Sequence, residues 1–136
     1  MPSALLCLIA KGVIRDADTN NLSVFNILEQ VGAQGFPLLI QEAAVLAVWR
    51  RAQDEGQQFA FDFALRNNDR VIIARRIDVN FAGAELNRTI IRLGGILAQE
   101  PGVLVAQFAH NGQVVASYQI HLRVDPTLQV QPAAPA

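Results

Sequence analysis

Four arginines are the side chains whose type and spacing could bind an anion. Arg75 and Arg76 lie in one predicted strand, and Arg88 and Arg92 lie four residues apart in the next. The guanidinium group presents a planar fork of donors that suits carboxylates and phosphates. If both strands turn these side chains to one sheet face, the four arginines form a site for a small anion or an acidic partner. The alternative is that they form surface salt bridges with nearby carboxylates, Asp78 among them.

Nucleophilic catalysis and metal binding need groups that this sequence does not place together. Ser117 and His121 share one face of a predicted strand, but four residues of strand separate them by about 13 Å, too far for a hydrogen bond. His110, His121 and Cys7 have no companion at a metal-ligand spacing, and no glycine-rich phosphate loop is present. We therefore expect no catalytic residues, no metal, no cofactor and no enzymatic activity.

Composition limits the number of domains and the class of partner. A chain of 136 residues allows one domain, and 51% hydrophobic residues with 17% charged residues favour a large core over disorder. The formal net charge of −1 provides no long-range attraction to nucleic acid, so no nucleic-acid partner is expected.

Cysteine content and hydropathy bear on location. Cys7 is the single cysteine, so no disulfide can form within the chain. The apolar run at residues 4–10 is too short for a membrane span, which needs about 20 residues, and no basic region precedes it. A cytoplasmic location without a membrane partner is the expectation.

Period-two apolar runs between turn signals predict the strands that must position these residues. The predicted strands cover residues 4–14, 22–31, 43–51, 57–66, 70–80, 87–93, 102–109 and 113–124. Residues 38–44 and 86–99 also fit helical segments. The pattern predicts an all-β, antiparallel two-sheet sandwich of about seven to nine strands with immunoglobulin-like or related topology. We expect one domain over residues 1–125 and a flexible tail rich in proline and alanine over residues 126–136.

In the last hairpin, the shortest turn conflicts with the alternation of apolar and polar residues. A two-residue Asn111-Gly112 turn would pair Phe108 with Val115 and turn Phe108 to the polar face. A three-residue loop from His110 to Gly112, with a bulge, corrects the alternation. We therefore predict that Phe108 lies opposite Val114.

The central hairpin contains a similar conflict. A loop over residues 67–69 places Leu65 opposite Val71, and the same register places Phe61 opposite Arg75. An arginine facing an aromatic core position is costly. We expect either a bulge at Arg75-Arg76 or a place where the sheet opens.

The run from Val45 to Trp49 is apolar on both faces. Such a strand is either central in its sheet or covered by a neighbouring chain. The second alternative makes this strand and the preceding Leu-Leu-Ile run an interface for a homo-oligomer. Its candidate residues are Leu38, Ile40, Val45, Ala47 and Trp49. In the first alternative, the same residues fill the core between the sheets.

The two ends of the chain resemble a family of small uncharacterised bacterial proteins that is grouped as a domain of unknown function. At the start, the similar segments are Leu5 to Ala17, Leu22 to Val31 and Gly35-Phe36-Pro37. Near the end, the similarity covers Pro101 to Val105 and Asn111 to Ala116. The resemblance implies a β-sandwich and brings no known activity or functional residues.

These observations favour a non-catalytic protein-interaction or structural module. Its partner is a second copy of the chain or an unidentified protein. The alternative is a small anion or ligand binder that uses the arginine face, and an enzyme of unrecognised type comes third.

Overall fold

The computed structural model describes residues 1–127, so the predicted tail beyond residue 127 lies outside the described residues. Nine strands follow one another without a helix in this part of the chain. They are β1 (Ser3–Arg15), β2 (Leu22–Ile27), β3 (Gln30–Ala33), β4 (Leu38–Arg50), β5 (Gln58–Asn67), β6 (Arg70–Asn80), β7 (Leu86–Ala98), β8 (Gly102–His110) and β9 (Gln113–Val124). The segments at residues 38–44 and 86–99, which also fitted helices, belong to strands β4 and β7.

The strands form two sheets. One has the order β2-β1-β4-β7 and the other has the order β3-β9-β8-β5-β6, which confirms the predicted two-sheet sandwich. The connections from β4 to β5, from β6 to β7 and from β7 to β8 pass between the sheets, as in Greek-key sandwiches of the immunoglobulin class. All neighbouring strands are antiparallel except β3 and β9, which run parallel.

The core lies between the sheets and is centred on Trp49. This fully buried side chain stacks on Phe61 with ring centroids 4.3 Å apart, and Phe108 meets it edge-on at 5.3 Å. The indole Nε1 donates a hydrogen bond of 3.0 Å to Oγ1 of Thr89 on β7. A buried indole N–H needs such an acceptor, so Thr89 fixes the orientation of the ring.

The residues predicted to form an interface belong to this core. Val45, Ala47 and Trp49 have no exposed surface within the single chain, and Leu38 and Ile40 pack against the same cluster. Side chains that the chain itself buries are not available to a partner. For Val45, Ala47 and Trp49 the structure therefore favours the alternative, that they fill the core between the sheets, whereas Leu38 and Ile40 are only partly buried.

In the last hairpin, a bulge in the strand keeps the apolar side chains on the inner face, and the turn stays short. Asn111 and Gly112 form a two-residue turn in which both residues have positive φ, and His110 pairs with Gln113. A bulge follows, so that Phe108 pairs with Ala116. The predicted three-residue loop and the predicted pairing of Phe108 with Val114 are wrong. The hairpin does contain a bulge.

The central hairpin likewise has a bulge in the strand after a short turn. Its register shifts next to Leu65, which pairs with Ile73 instead of Val71. Phe61 consequently pairs with Ile77, and Arg75 lies opposite Phe63. Arg75 is exposed on β6, the last strand of its sheet. The expected bulge at Arg75 is wrong, whereas its placement at an open part of the sheet is confirmed.

Candidate functional site

Strand β1 changes partners halfway along its length. Ala10 makes its last pair with β4, and from Gly12 onwards β1 pairs only with β2. The ladder to β2 is interrupted opposite Asn26, whose φ of 54° is left-handed. Asparagine adopts this conformation more readily than most residues. We call residues 11–27, which form this protruding β-hairpin, the arm.

The arm packs on the outer face of the four-stranded sheet. Val13, Leu22 and Val24 from the arm join Ala44 and Leu46 of β4 in a second apolar cluster, separate from the main core. Ala44 and Leu46 are almost completely buried there. The arm therefore explains why β4 is apolar on both faces, because the chain covers the second face itself.

Two arginines of β7 anchor the arm. Arg88 donates from Nη1 to the carbonyl of Asn20 at 2.6 Å, and Arg92 donates from Nη2 to the carbonyl of Val13 at 3.1 Å. Both arginines occupy alternate positions on the outer face of β7, where their side chains are exposed. They hold the tip and the middle of the arm against the sheet.

A groove remains between the arm and the beginning of β7. We call it the outer groove, and its volume is about 700 Å³. Leu6 and Leu86 at the groove are exposed by 42% and 51%, which is unusual for leucines in a concave site. The complete lining is Leu6, Leu22, Val24, Leu46, Val48, Leu86 and Ile90 with the polar residues Arg15, Asn20, Asn87 and Arg88.

Positive charge is concentrated at one end of the outer groove. Arg15 and Arg88 both direct an Nη1 atom at Oδ1 of Asn20, at 3.3 Å and 3.5 Å. Within residues 1–127, neither arginine forms an ion pair with a carboxylate. Two guanidinium groups that share one neutral oxygen and form no such ion pair favour an anionic group of a ligand at this end.

The four arginines singled out in the sequence do not share a sheet face. Arg75 and Arg76 belong to the five-stranded sheet, whereas Arg88 and Arg92 belong to the four-stranded sheet. Arg76 lies 3.6 Å from Asp78, and both side chains are largely exposed, as the salt-bridge alternative predicted. The prediction of one shared face is therefore wrong, and only Arg88 lines the outer groove.

Arg15, Asn20, Leu6 and Leu86 were missed as candidate site residues. The run at residues 4–10 is apolar at both alternating positions, and this was the available signal that β1 faces apolar surroundings on two sides. The position of Arg15 depends on how the arm folds back. No pattern in the neighbouring sequence predicts how the arm folds back.

Cys7 and His110 are two side chains whose types could take part in chemistry. Burial raises the pKa of the Cys7 thiol to about 11, so the thiolate needed for nucleophilic attack is scarce near neutral pH. Nδ1 of His110 lies 2.9 Å from the carbonyl oxygen of Ala60. No three His, Cys, Asp or Glu side chains among the described residues are grouped to hold a metal ion. No helix capable of crossing a membrane occurs in residues 1–127.

The chain also has distant likenesses to solved structures. The chain is similar to a β-glucosidase from Listeria innocua, with 7% identity and a TM-score of 0.46 over 90% of this chain and 16% of that enzyme. The same enzyme in complex with isofagomine gives 8% identity, the same TM-score and the same coverage. Neither likeness bears on the function of this chain.

The sequence itself places the chain among known families. No curated protein matches it significantly. Residues 5–123 match a family described as "Family of unknown function (DUF6941)", and this match spans both sheets, the arm and the outer groove. The chain therefore belongs to the family of unknown function DUF6941.

Proposed function

We propose that this domain is a non-catalytic protein-interaction module that binds an apolar segment of another protein in the outer groove. The observation that carries the proposal is the combination, in one concave site, of exposed leucines with arginines that form no ion pair within the described part of the chain. The single cysteine, which can form no disulfide within the chain, supports action in the cytoplasm.

The shape and lining of the outer groove favour binding over chemistry. Ligand sites usually have volumes of about 300 to 1,000 Å³, with mostly apolar walls and a few polar groups that orient the ligand. The outer groove, at about 700 Å³, falls in this range. Its polar groups are amides and guanidinium groups, which bind and orient a ligand but do not serve as a general base at neutral pH.

The charge at the groove selects the chemistry of the ligand. Arg15 and Arg88 offer donors that Asn20 only partly occupies, because one amide oxygen cannot satisfy two guanidinium groups. A segment with several apolar side chains and one carboxylate would satisfy both parts of the site. An acidic residue beside aliphatic residues, or the carboxyl terminus of a partner, has this chemistry.

Selection from a random peptide display library on the immobilised domain tests the proposal. We expect enriched peptides with two or more aliphatic residues and an acidic group. Binding should weaken at least about tenfold in the Leu6→Gln, Leu86→Gln double variant, because each leucine contributes buried apolar area. Leu97→Gln is the matched control, since Leu97 is an exposed leucine on β7 outside the groove.

Two outcomes would overturn this assignment. If no peptide is enriched over the double variant, the groove does not bind protein segments. If decanoate binds the groove while peptides do not, the ligand is a small amphipathic carboxylate. The domain would then be a small-ligand binder, which was the alternative from the sequence.

Self-association is a second candidate function, supported by β2. This strand forms one edge of the four-stranded sheet, and its sequence from Leu22 to Ile27 carries no charged residue. Phe25 and Ile27 on β2 are exposed by 43% and 47%. Uncharged, apolar edge strands pair readily with other chains. Light scattering across a concentration series should show a dimer that Phe25→Lys converts to a monomer, and a wild-type monomer at micromolar concentration contradicts it.

A further inference from the structure

The edge of β7 offers backbone groups for pairing. Strand β7 is the last strand of the four-stranded sheet and pairs only with β4. Along residues 88–98, no other segment of the described chain hydrogen-bonds to its backbone. An edge strand of 13 residues is long enough to accept another strand.

The exposed arginines on the two edge strands differ in how they are held. On β6, the edge strand of the other sheet, Arg75 and Arg76 are exposed and anchor nothing in the arm. On β7, Arg88 and Arg92 instead reach over their own sheet to the carbonyls of the arm. Arg88 and Arg92 are therefore held at fixed positions on the outer face of β7, beside its free edge, with nitrogens that the arm does not use.

A second copy of the chain meets a charge conflict at this edge when the two strands are centred on Ile90. An antiparallel pair of two β7 strands about a twofold axis at Ile90 would place Arg88 of one copy opposite Arg92 of the other. Like charges directly opposite each other destabilise a sheet. No carboxylate among the described residues forms an ion pair with these arginines, and Glu42, which shares a cleft with Arg92, lies beyond ion-pair distance.

We infer that β7 accepts an extended acidic segment of a partner protein as an additional strand. Arg88, Ile90 and Arg92 lie at alternate positions on one face, so the segment that complements them has two carboxylates four residues apart with an apolar residue between them. Each arginine uses one nitrogen for the arm and keeps other donors for the carboxylate. The inference rests on the proposed function in one respect, because it takes the ligand to be a protein segment.

A synthetic peptide with the central sequence Asp-Thr-Val-Thr-Asp, flanked by threonine and valine and blocked at both ends, is the probe. Binding is measured by fluorescence anisotropy, and amide hydrogen exchange is followed by NMR. We expect saturable binding and slower exchange at alternating amides of β7, because strand addition covers only the backbone groups on one edge.

Changes to the peptide separate strand addition from contact through side chains. N-methylation at alternate residues can be made in two patterns, one for each edge of the peptide. One pattern should abolish binding and the other should preserve it, since a single edge pairs with β7. Replacement of both aspartates by lysine should weaken binding at least about tenfold. Equal binding by both N-methylated peptides would overturn the inference.

Variants of the protein complete the test. Arg88→Glu with Arg92→Glu should weaken binding at least about tenfold, whereas Arg76→Glu on the other edge strand should not change it. The changes to the peptide keep the test decisive if the double variant loosens the arm. If library peptides bind in the outer groove but no amide of β7 is protected, strand addition fails and the proposed function stands. If neither binds, both fail.

Discussion

The ring of Phe25 lies over Gly12, its cross-strand neighbour in the arm. A β-carbon on residue 12 would overlap the far edge of the ring, so glycine is what allows the two strands of the arm to keep this contact. Aromatic side chains cover glycine in this way in other sheets and shield its backbone from water. The ring is nevertheless 43% exposed, because nothing in the described chain packs on its other side.

Gly12→Ala should displace the Phe25 ring instead of breaking the arm, since the clash involves the outer end of an exposed side chain. We expect a loss of about 0.2 to 1 kcal/mol, the usual range for a cross-strand pair. Phe25→Ala should cost a similar amount. The double variant should cost little more than either one, because both remove the same contact. Urea denaturation of the three variants measures this coupling, and fully additive losses would contradict the contact.

Thr89→Val should destabilise the domain by about 1 to 3 kcal/mol, because the buried Nε1 of Trp49 loses its acceptor while the volume hardly changes. Thr89→Ser keeps a hydroxyl and serves as the control. Trp49 is the single tryptophan, so its fluorescence reports both unfolding and the polarity around the ring. Equal stability of the valine and serine variants would show that the hydrogen bond contributes nothing.

Asn67→Asp should cost about 3 kcal/mol or more. The buried Asn67 amide donates to the carbonyls of Glu100 and Val103 and accepts from the amides of Gln99 and Glu100. An aspartate loses both donors and brings a negative charge against those carbonyls.

Asn80→Asp is the matched control for this change. The exposed Asn80 uses its side-chain oxygen to accept from the amide of Ala82, and a carboxylate does the same. Its free energy of unfolding should change by no more than about 0.5 kcal/mol. Thermal unfolding at neutral pH compares the two variants, and similar losses would contradict a structural role for the amide group of Asn67.

Cys7 should make stability depend on alkaline pH. Burial raises the pKa of its thiol from 9.0 to about 11 in the folded state. The folded state then holds the proton more tightly than the unfolded state, so this contribution is complete below pH 9 and is lost as the pH rises to about 11. The free energy of unfolding of Cys7→Ala should decline less steeply over this range.

The burial of the Cys7 thiol can be checked separately. Native protein at pH 8.5 should react slowly with a disulfide reagent and quickly after addition of urea.

The strands were predictable because the alternation that defines them is local. The hairpin registers were not predictable. The sequence showed only that a tight turn without a bulge or an extra loop residue would place apolar side chains on the polar face. In both hairpins the turn is tight, and an unpaired residue in the second strand restores the alternation, Val115 in the last hairpin and Ile72 in the central one. A bulge and a longer loop have the same effect on alternation, so the pattern alone cannot distinguish them.

The outer groove was not predictable, because it depends on the path of the arm. Apolar residues on both faces of β4 indicated a second covering layer. That layer proved to be Val13, Leu22 and Val24 from the same chain. Asn26 marks the departure of the arm, yet a left-handed asparagine is common in many turns and does not specify a direction.

The parallel pairing of β3 with β9 sets an order of events during synthesis. Residues 30–33 find their backbone partners at residues 121–124, so almost the whole domain must leave the ribosome before β3 can dock. Until then the five-stranded sheet lacks one edge, and, among the described residues, the link from β2 to β3 has only the hydrogen bond from the amide of Leu28 to the carbonyl of Ile9 on β1 to hold it. Contacts so distant in sequence form late. Nascent chains of this domain should therefore depend on chaperones until translation passes residue 124.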